Sequence, residues 1–261
     1  MVRCNICEAP TKAFARAQVL GKYDVEYFRC PSCGFVQTEH PYWLDEAYAS
    51  ALLPADVGVV ARNLKLANVT QVIINTFFPD GRRFLDFGGG YGLFVRLMRD
   101  RGFDYRWADE HAENVLSRGF EAEPNDGRYD LTTAFEVFEH LIDPVGTARD
   151  MLNRSGAVLF STMLLPVGPP KPHEWWYYAL FGGQHISLFS ERALHVMAER
   201  CGVRAYSNAS TVHMLSHTPV NAAAFRLVTR QKLATLLTLF HRRPSLTQQD
   251  FEYIAARDAA P

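Results

Sequence analysis

Residues 85–92, LDFGGGYG, place four glycines in eight positions, directly behind the apolar pair Phe84 and Leu85 and in front of Leu93, Phe94 and Val95. A strand that passes through a glycine turn straight into a helix is the junction at which open α/β sheets hold ligands, because bare backbone can approach them there. The surrounding pattern extends this reading. Short apolar strands are expected at 84–87, 105–108, 129–135 and 157–162, alternating with helical patterns at 93–101, 112–118 and 144–152. Such alternation predicts βαβ units and a mostly parallel sheet, an α/β fold of Rossmann-like type. A helix is expected before it at 59–76, closed by Pro79, Asp80 and Gly81, and another after it at 222–240.

The loop's spacing selects among ligands. A phosphate-binding loop needs Gly-Lys-Ser/Thr at the helix entrance, but Gly92 is followed by Leu93 and Phe94. A dinucleotide fingerprint beginning at Gly88 needs a small residue at 93, where leucine stands. What remains is Asp-x-Gly-x-Gly-x-Gly: Asp86, Gly88, Gly90 and Gly92. Asp109 lies 17 residues after Gly92, at the end of the second expected strand, where a carboxylate can accept from the two hydroxyls of a ribose. It also precedes a helical pattern as an N-cap would, and both roles fit one residue, with ribose binding favoured by the loop upstream. Glu110 is the neighbouring candidate. A third landmark is YDLTTAFEVFEHLIDP, residues 129–144, with Glu136, Glu139, His140, Leu141, Asp143 and Pro144.

Four of the five cysteines form CNIC, Cys4 and Cys7, and CPSC, Cys30 and Cys33, with 22 residues between the pairs. That spacing matches a zinc ribbon, each knuckle giving two thiolates to one tetrahedral ion. Four thiolates leave no open position, so the zinc is expected to be structural. Tyr23, Val25, Tyr27 and Phe28 read as a strand pair too small to hold itself without such a staple. Cys201, alone near a helix end, reads as a buried apolar residue.

The glycine loop, Asp109 and the Glu-His-Leu segment together resemble class I S-adenosylmethionine (SAM) dependent methyltransferases over roughly residues 80–205. The resemblance implies SAM as cofactor, with Asp86, Gly88, Gly90, Gly92, Asp109, Glu110 and Glu136 as the binding residues. Residues 120–126 lack the acidic-then-apolar pattern that often brackets the adenine, so no residue is assigned to it. The segment GGQHISLFS resembles the family's His-x-x-x-Phe-Ser stretch bordering the active site. His185 is thereby implied as general base or acceptor ligand, with Glu139 and His140 as the other catalytic candidates; an orienting role for His140 fits as well.

The amino-terminal ribbon narrows the resemblance to sugar and natural-product methyltransferases of the deoxysugar C-methyltransferase type, with Tyr48 as a pocket tyrosine. The carboxyl-terminal domain of that type is not expected in this chain, which opens O- or N-methylation beside C-methylation. The Trp-, Tyr- and Pro-rich stretch 161–190 could offer platforms for a saccharide, or could simply pack its aromatics as a covering loop.

Charge bounds the partners. With 27 Lys and Arg against 28 Asp and Glu, the net charge of −1 gives no footprint for a phosphate backbone. The amino terminus lacks the apolar run of a signal peptide, and no stretch reaches the length of a membrane span. A cytoplasmic enzyme is expected, acting on a saccharide, nucleotide-sugar or small polar metabolite, with O-methylation favoured. A zinc-ribbon RNA methyltransferase and a non-catalytic SAM-binding protein are the alternatives. The expected organisation is a zinc ribbon at 1–40, a helical connector at 41–80, the SAM-binding domain at 81–220 and a helical segment at 221–261. Oligomeric state is not legible.

Overall fold

The computed structural model of the protein describes residues 2–49, 55–240 and 242–258. In chain order the strands are β1 (Lys12–Val19), β2 (Tyr23–Arg29), β3 (Val36–Thr38), β4 (Arg83–Phe87), β5 (Asp104–Ala108), β6 (Leu131–Phe135), β7 (Ala157–Ser161), β8 (Ser187–Leu188), β9 (Arg204–Ser207) and β10 (Val212–Ser216). The α-helices are α1 (Leu44–Ala47), α2 (Val59–Phe77), α3 (Leu93–Arg99), α4 (Pro144–Arg154), α5 (Glu191–Arg200), α6 (Ala222–Val228), α7 (Gln231–Leu237) and α8 (Thr247–Asp258). No helix among the described residues is long and apolar enough to cross a membrane.

The chain divides into two compact units. One, the glycine-loop unit, takes the described residues of 54–133, 154–156 and 220–261. Its strands run in the order β5-β4-β6, with β4 parallel to both neighbours: Asp86 stands opposite Trp107 on one side and Thr133 on the other. Phe84 and Leu85 are fully buried, as expected of a central parallel strand covered on both faces. Phe84 stacks on Tyr105 at 5.2 Å between ring centroids, and Phe94 of α3 meets the same tyrosine edge-on at 5.5 Å. Helix α8 is pinned by Asp250, whose carboxylate accepts from Arg99 Nε at 2.9 Å and Arg99 Nη2 at 2.7 Å. The Arg99 guanidinium also lies 3.7 Å over the Phe120 ring.

Two expected helices differ. Residues 112–118 form turns rather than a helix, because other acceptors claim their backbone donors: Asp109 takes the amides of His111 and Ala112, Tyr91 O takes those of Val115 and Leu116, and Asn114 Oδ1 takes that of Ser117. The segment 222–240 is two helices, α6 and α7, broken at Thr229 and Arg230. The Thr229 hydroxyl bonds back to Phe225 O at 2.8 Å, and Arg230 is extended.

The cysteine unit takes the described residues of 1–53, 134–153 and 157–219. Its first sheet is antiparallel throughout, in the order β1-β2-β3-β8. The apolar core against this sheet contains Val25, Tyr27, Trp43, Tyr177, Tyr178 and Leu188. Tyr177 and Tyr178 are thus covering-loop aromatics driven into a core, whereas Trp176 is exposed. In the same unit β10 lies between β7 and β9 and is antiparallel to both, so β10 is the strand that departs from the mostly parallel pairing. Ser190 caps α5, its Oγ accepting from Ala193 N at 3.0 Å, which is where the sequence pattern puts the helix start. Cys201 ends α5 half-buried rather than fully buried, and burial pushes its thiol up.

His213 of β10 is buried, and burial draws its pKa down to about 4. Its Nε2–H donates to Thr162 O at 2.9 Å and its Nδ1 faces Ser207 Oγ at 2.9 Å, a fit to the neutral ring. The folded pKa lies below the ordinary histidine value of about 6.5, so the unfolded chain binds the proton first. Stability from this residue is complete above that value and falls as pH drops from there towards 4. Between pH 7 and pH 5 the loss should be about 2 kcal/mol. Urea unfolding at the two pH values should show that difference shrinking in His213→Gln; an unchanged difference would refute the assignment.

Candidate active site

The cysteine knuckles have the same local geometry. In each, the residue after the second cysteine is left-handed, Glu8 at φ 61° and Gly34 at φ 77°, and its amide donates to the first cysteine's carbonyl at 2.9 Å. Cys4 Sγ lies 3.5 Å from Cys33 Sγ, and Cys7 Sγ lies 3.4 Å from Cys30 Sγ. All four sulfurs fall within 4.8 Å of one another. Thiolates at about 2.3 Å from a zinc ion form a tetrahedron with edges near 3.8 Å, so these four sulfurs fit one ion with small adjustments. Amides also point at sulfur, Ile6 N at Cys4 and Cys33 N at Cys30.

In the glycine-loop unit, the turn leaving β4 is held to the end of β5. Gly88 N and Gly89 N donate to Ala108 O at 2.8 and 3.2 Å, and Trp107 Nε1 donates to Gly90 O at 2.8 Å. Gly88, Gly90 and Gly92 have φ of 68°, 52° and 82°, where side chains are strained. A Cβ at Gly92 would also meet Asn114 Oδ1 at 2.5 Å, whereas one at Gly90 would meet nothing within 4 Å. The loop is therefore packed from behind and open at Gly90.

Asp109 belongs to this loop. Its Oδ2 accepts from Gly90 N at 2.8 Å, while Oδ1 accepts from His111 N at 2.7 Å and Ala112 N at 2.9 Å. A carboxylate has about four acceptor positions, so among the described residues three are taken and capacity for one more donor is left. Asp86 is buried, accepts from the Thr133 hydroxyl at 2.6 Å, and is pushed up to about 7 by burial, with the charge of Asp109 adding to the effect. Glu110 is exposed.

The cysteine unit gathers the catalytic candidates. Glu139 and His140 lie on the 3₁₀ turn Phe138–His140, and Ile186 N donates to Glu139 O at 2.9 Å, which draws the segment carrying His185 alongside. The two imidazoles stand 5.0 Å apart between ring centroids. Tyr177 braces both ends: its hydroxyl donates to Glu139 Oε1 at 2.5 Å, and its carbonyl lies 2.5 Å from His185 Nδ1. That contact requires Nδ1 to carry the proton and leaves the lone pair on Nε2. His140 Nδ1 is 3.0 Å from the Tyr48 hydroxyl. Glu139 is fully buried, and burial, reinforced by the charge of Glu136, pushes it up to about 8. Glu136 itself is left-handed at φ 55°, and its carboxylate accepts from Ser161 Oγ at 2.5 Å.

A family model described as a methyltransferase domain matches residues 61–208, more than half of the chain. The chain belongs to this methyltransferase-domain family. A ubiquinone biosynthesis O-methyltransferase of Pectobacterium atrosepticum is 26% identical over 153 residues, 51% of this chain and 60% of that protein. One of Acinetobacter baumannii is 24% identical over 137 residues, 44% of this chain and 55% of that protein. The chain thus spans under two thirds of the length of these relatives. Among solved structures, PigF with SAH gives a TM-score of 0.48 at 15% identity, covering 68% of this chain and 63% of that one.

Within the methyltransferase domain, Asp86, Gly88, Gly90, Gly92 and Asp109 come together in one unit, and Glu139, His140 and His185 in the other. The sequence pattern does not announce Trp107, Thr133 or Tyr177 as partners of these groups. Tyr177 stands in an aromatic run, WWYY, where nothing marks one hydroxyl as the brace of a buried carboxyl.

Proposed function

We propose that this protein transfers a methyl group from S-adenosylmethionine to a hydroxyl oxygen of a small-molecule acceptor. The observation that carries the reading is the bond from Gly90 N to Asp109 Oδ2, which joins an open glycine turn to a carboxylate that keeps acceptor capacity. Membership of the methyltransferase-domain family supports it. SAM supplies a methyl group activated by attachment to a positively charged sulfur. Backbone at Gly88, Gly90 and Gly92 would lie along the cofactor's methionine and ribose portions, and Asp109 would accept from a ribose hydroxyl, with Glu110 beside it. Asp86, pushed up to about 7 by burial, would be held ionised next to the cationic methionine end. Glu136 is the remaining residue assigned to the cofactor.

On the acceptor side, Glu139, His140 and His185 would bind the hydroxyl and deal with its proton. His185 is oriented for this by the Tyr177 carbonyl, with its Nε2 as base. Oxygen is favoured as the methylated atom because the relatives matched are named O-methyltransferases. The saccharide or nucleotide-sugar of the sequence reading is one acceptor class to try, and a hydroxylated aromatic ring, prompted by the relatives' naming for ubiquinone biosynthesis, is another. Cys4, Cys7, Cys30 and Cys33 would hold one structural zinc.

Calorimetry tests the cofactor end. Asp109→Ala should weaken SAM binding tenfold or more, since a hydrogen bond to a charged group contributes about 1.5–3 kcal/mol. Unchanged affinity would remove Asp109 from the cofactor site, and no SAM binding by the unaltered protein would overturn the reading. Mass spectrometry of the two acceptor classes after incubation with SAM then identifies the methylated product.

A further inference from the structure

Besides the four cysteines, one other group among the described residues has the composition of a metal centre: Glu139, His140 and His185, whose donor atoms lie within 4.8 Å of one another. We infer that these three residues form a second metal site, for a divalent transition ion of the zinc, cobalt or ferrous class, with positions left open for an exogenous oxygen ligand.

The donor set carries the first part of the inference. Two imidazoles and one carboxylate suit ions of this class better than magnesium or calcium, which favour all-oxygen surroundings. Three protein ligands, unlike the four thiolates of the ribbon, leave coordination positions unfilled. Donor atoms at about 2.0–2.2 Å from an ion lie roughly 3 Å apart, within reach of side-chain rotation from the present separations.

The second part is an orphaned oxygen. Glu139 is fully buried, and its Oε2 has no hydrogen-bond partner among the described residues, although its Oε1 accepts from Tyr177. A buried carboxyl oxygen without a partner is costly, and a cation beside two imidazoles satisfies it.

The third part is the outer support. Ligating histidines commonly use their other nitrogen on a carbonyl, carboxylate or hydroxyl, which fixes the ring. Here His185 Nδ1 meets the Tyr177 carbonyl, His140 Nδ1 meets the Tyr48 hydroxyl, and Glu139 Oε1 takes the Tyr177 hydroxyl. All three candidate ligands are thus braced on the far side, two of them by one residue.

For what the ion would do, the inference rests on the acceptor-end reading above. An acceptor hydroxyl bound to a cation becomes more acidic and would give its proton to solvent, its oxygen then taking the methyl group as the S–CH3 bond breaks and S-adenosylhomocysteine leaves; His185 would serve as ligand instead of base. The existence of the site is tested without methyl transfer. The protein is brought to equilibrium dialysis against Co²⁺, and bound zinc plus cobalt are counted by elemental analysis. The unaltered chain should hold one more ion than His140→Ala/His185→Ala, and the extra cobalt should show weak visible bands without the intense sulfur-to-cobalt absorption of a cysteine site. Glu139→Gln keeps a partner for the Tyr177 hydroxyl and should weaken cobalt binding by about a hundredfold, at the upper end of what loss of an orienting partner alone costs. A thermal unfolding transition in the absence of cobalt that matches the unaltered chain certifies that each variant is folded. Equal ion counts in the unaltered chain and the double variant, or full cobalt affinity in Glu139→Gln, would overturn the site while leaving SAM binding and turnover to decide the methyltransferase reading.

Discussion

Replacing Cys30 by serine is expected to release the zinc and melt the cysteine unit, while affinity for SAM in the glycine-loop unit changes far less. Cys30 is fully buried, its sulfur lies 3.4 Å from Cys7 Sγ, and it accepts from Cys33 N. Serine offers neither the soft thiolate nor the reach for zinc. The sheet around it is small, with strands of 8, 7 and 3 residues between and after the knuckles. In domains of this kind metal affinity is folding free energy, on the order of 10–16 kcal/mol for structural zinc in finger peptides. The damage should spread within the unit. Ser190 Oγ donates to Cys33 O at 2.5 Å, β8 pairs with β3, and Trp43 Nε1 donates to Gly183 O at 2.8 Å, so the segment carrying His185 is built onto the cysteine-bearing sheet. Zinc content, thermal unfolding and SAM calorimetry on one preparation distinguish the outcomes. No zinc in protein purified without chelator, or Cys30→Ser retaining zinc and melting temperature, would refute a structural ion.

What could be read from residue order were features whose physics is local. The glycines at 88, 90 and 92 mark a turn between strand and helix, and the structure has that turn, with all three in left-handed backbone. The C-x-x-C pairs bring their sulfurs together, and Ser190 caps the helix whose pattern begins behind it. Features decided elsewhere in the chain were not legible. The helical pattern at 112–118 loses to Tyr91 O and to the Asp109 and Asn114 side chains, which no apolar periodicity reveals. Strand β8 is two residues long and exists because Val36 lies opposite Leu188, a pairing across about 150 residues that only tertiary packing selects. The candidate catalytic residues were legible by type and motif, but their brace was not. Tyr177 meets Glu139 across 38 residues of sequence and His185 through its backbone carbonyl, an atom that every residue has.

Removing the His185 imidazole should cost the largest share of turnover. In His185→Ala, methyl transfer to the true acceptor is expected to fall roughly a hundredfold to ten-thousandfold, the range for loss of a positioned base. SAM affinity should hold, because the residues assigned to the cofactor loop lie at 86–92 and 109. The physical reason is that a hydroxyl must give up its proton as the new bond to carbon forms, and His185 has its Nδ1 committed to the Tyr177 carbonyl at 2.5 Å, leaving the lone pair on Nε2. The response to added Co²⁺ separates a base from a ligand. If His185 is the base, added Co²⁺ should change turnover little in either protein. If it holds an ion, Co²⁺ should raise turnover in the unaltered chain and not in the variant. A variant with full turnover would exclude both roles. Turnover preserved at saturating acceptor, with only a weaker apparent acceptor affinity, would make His185 a positioning residue and pass the proton to His140 and Glu139.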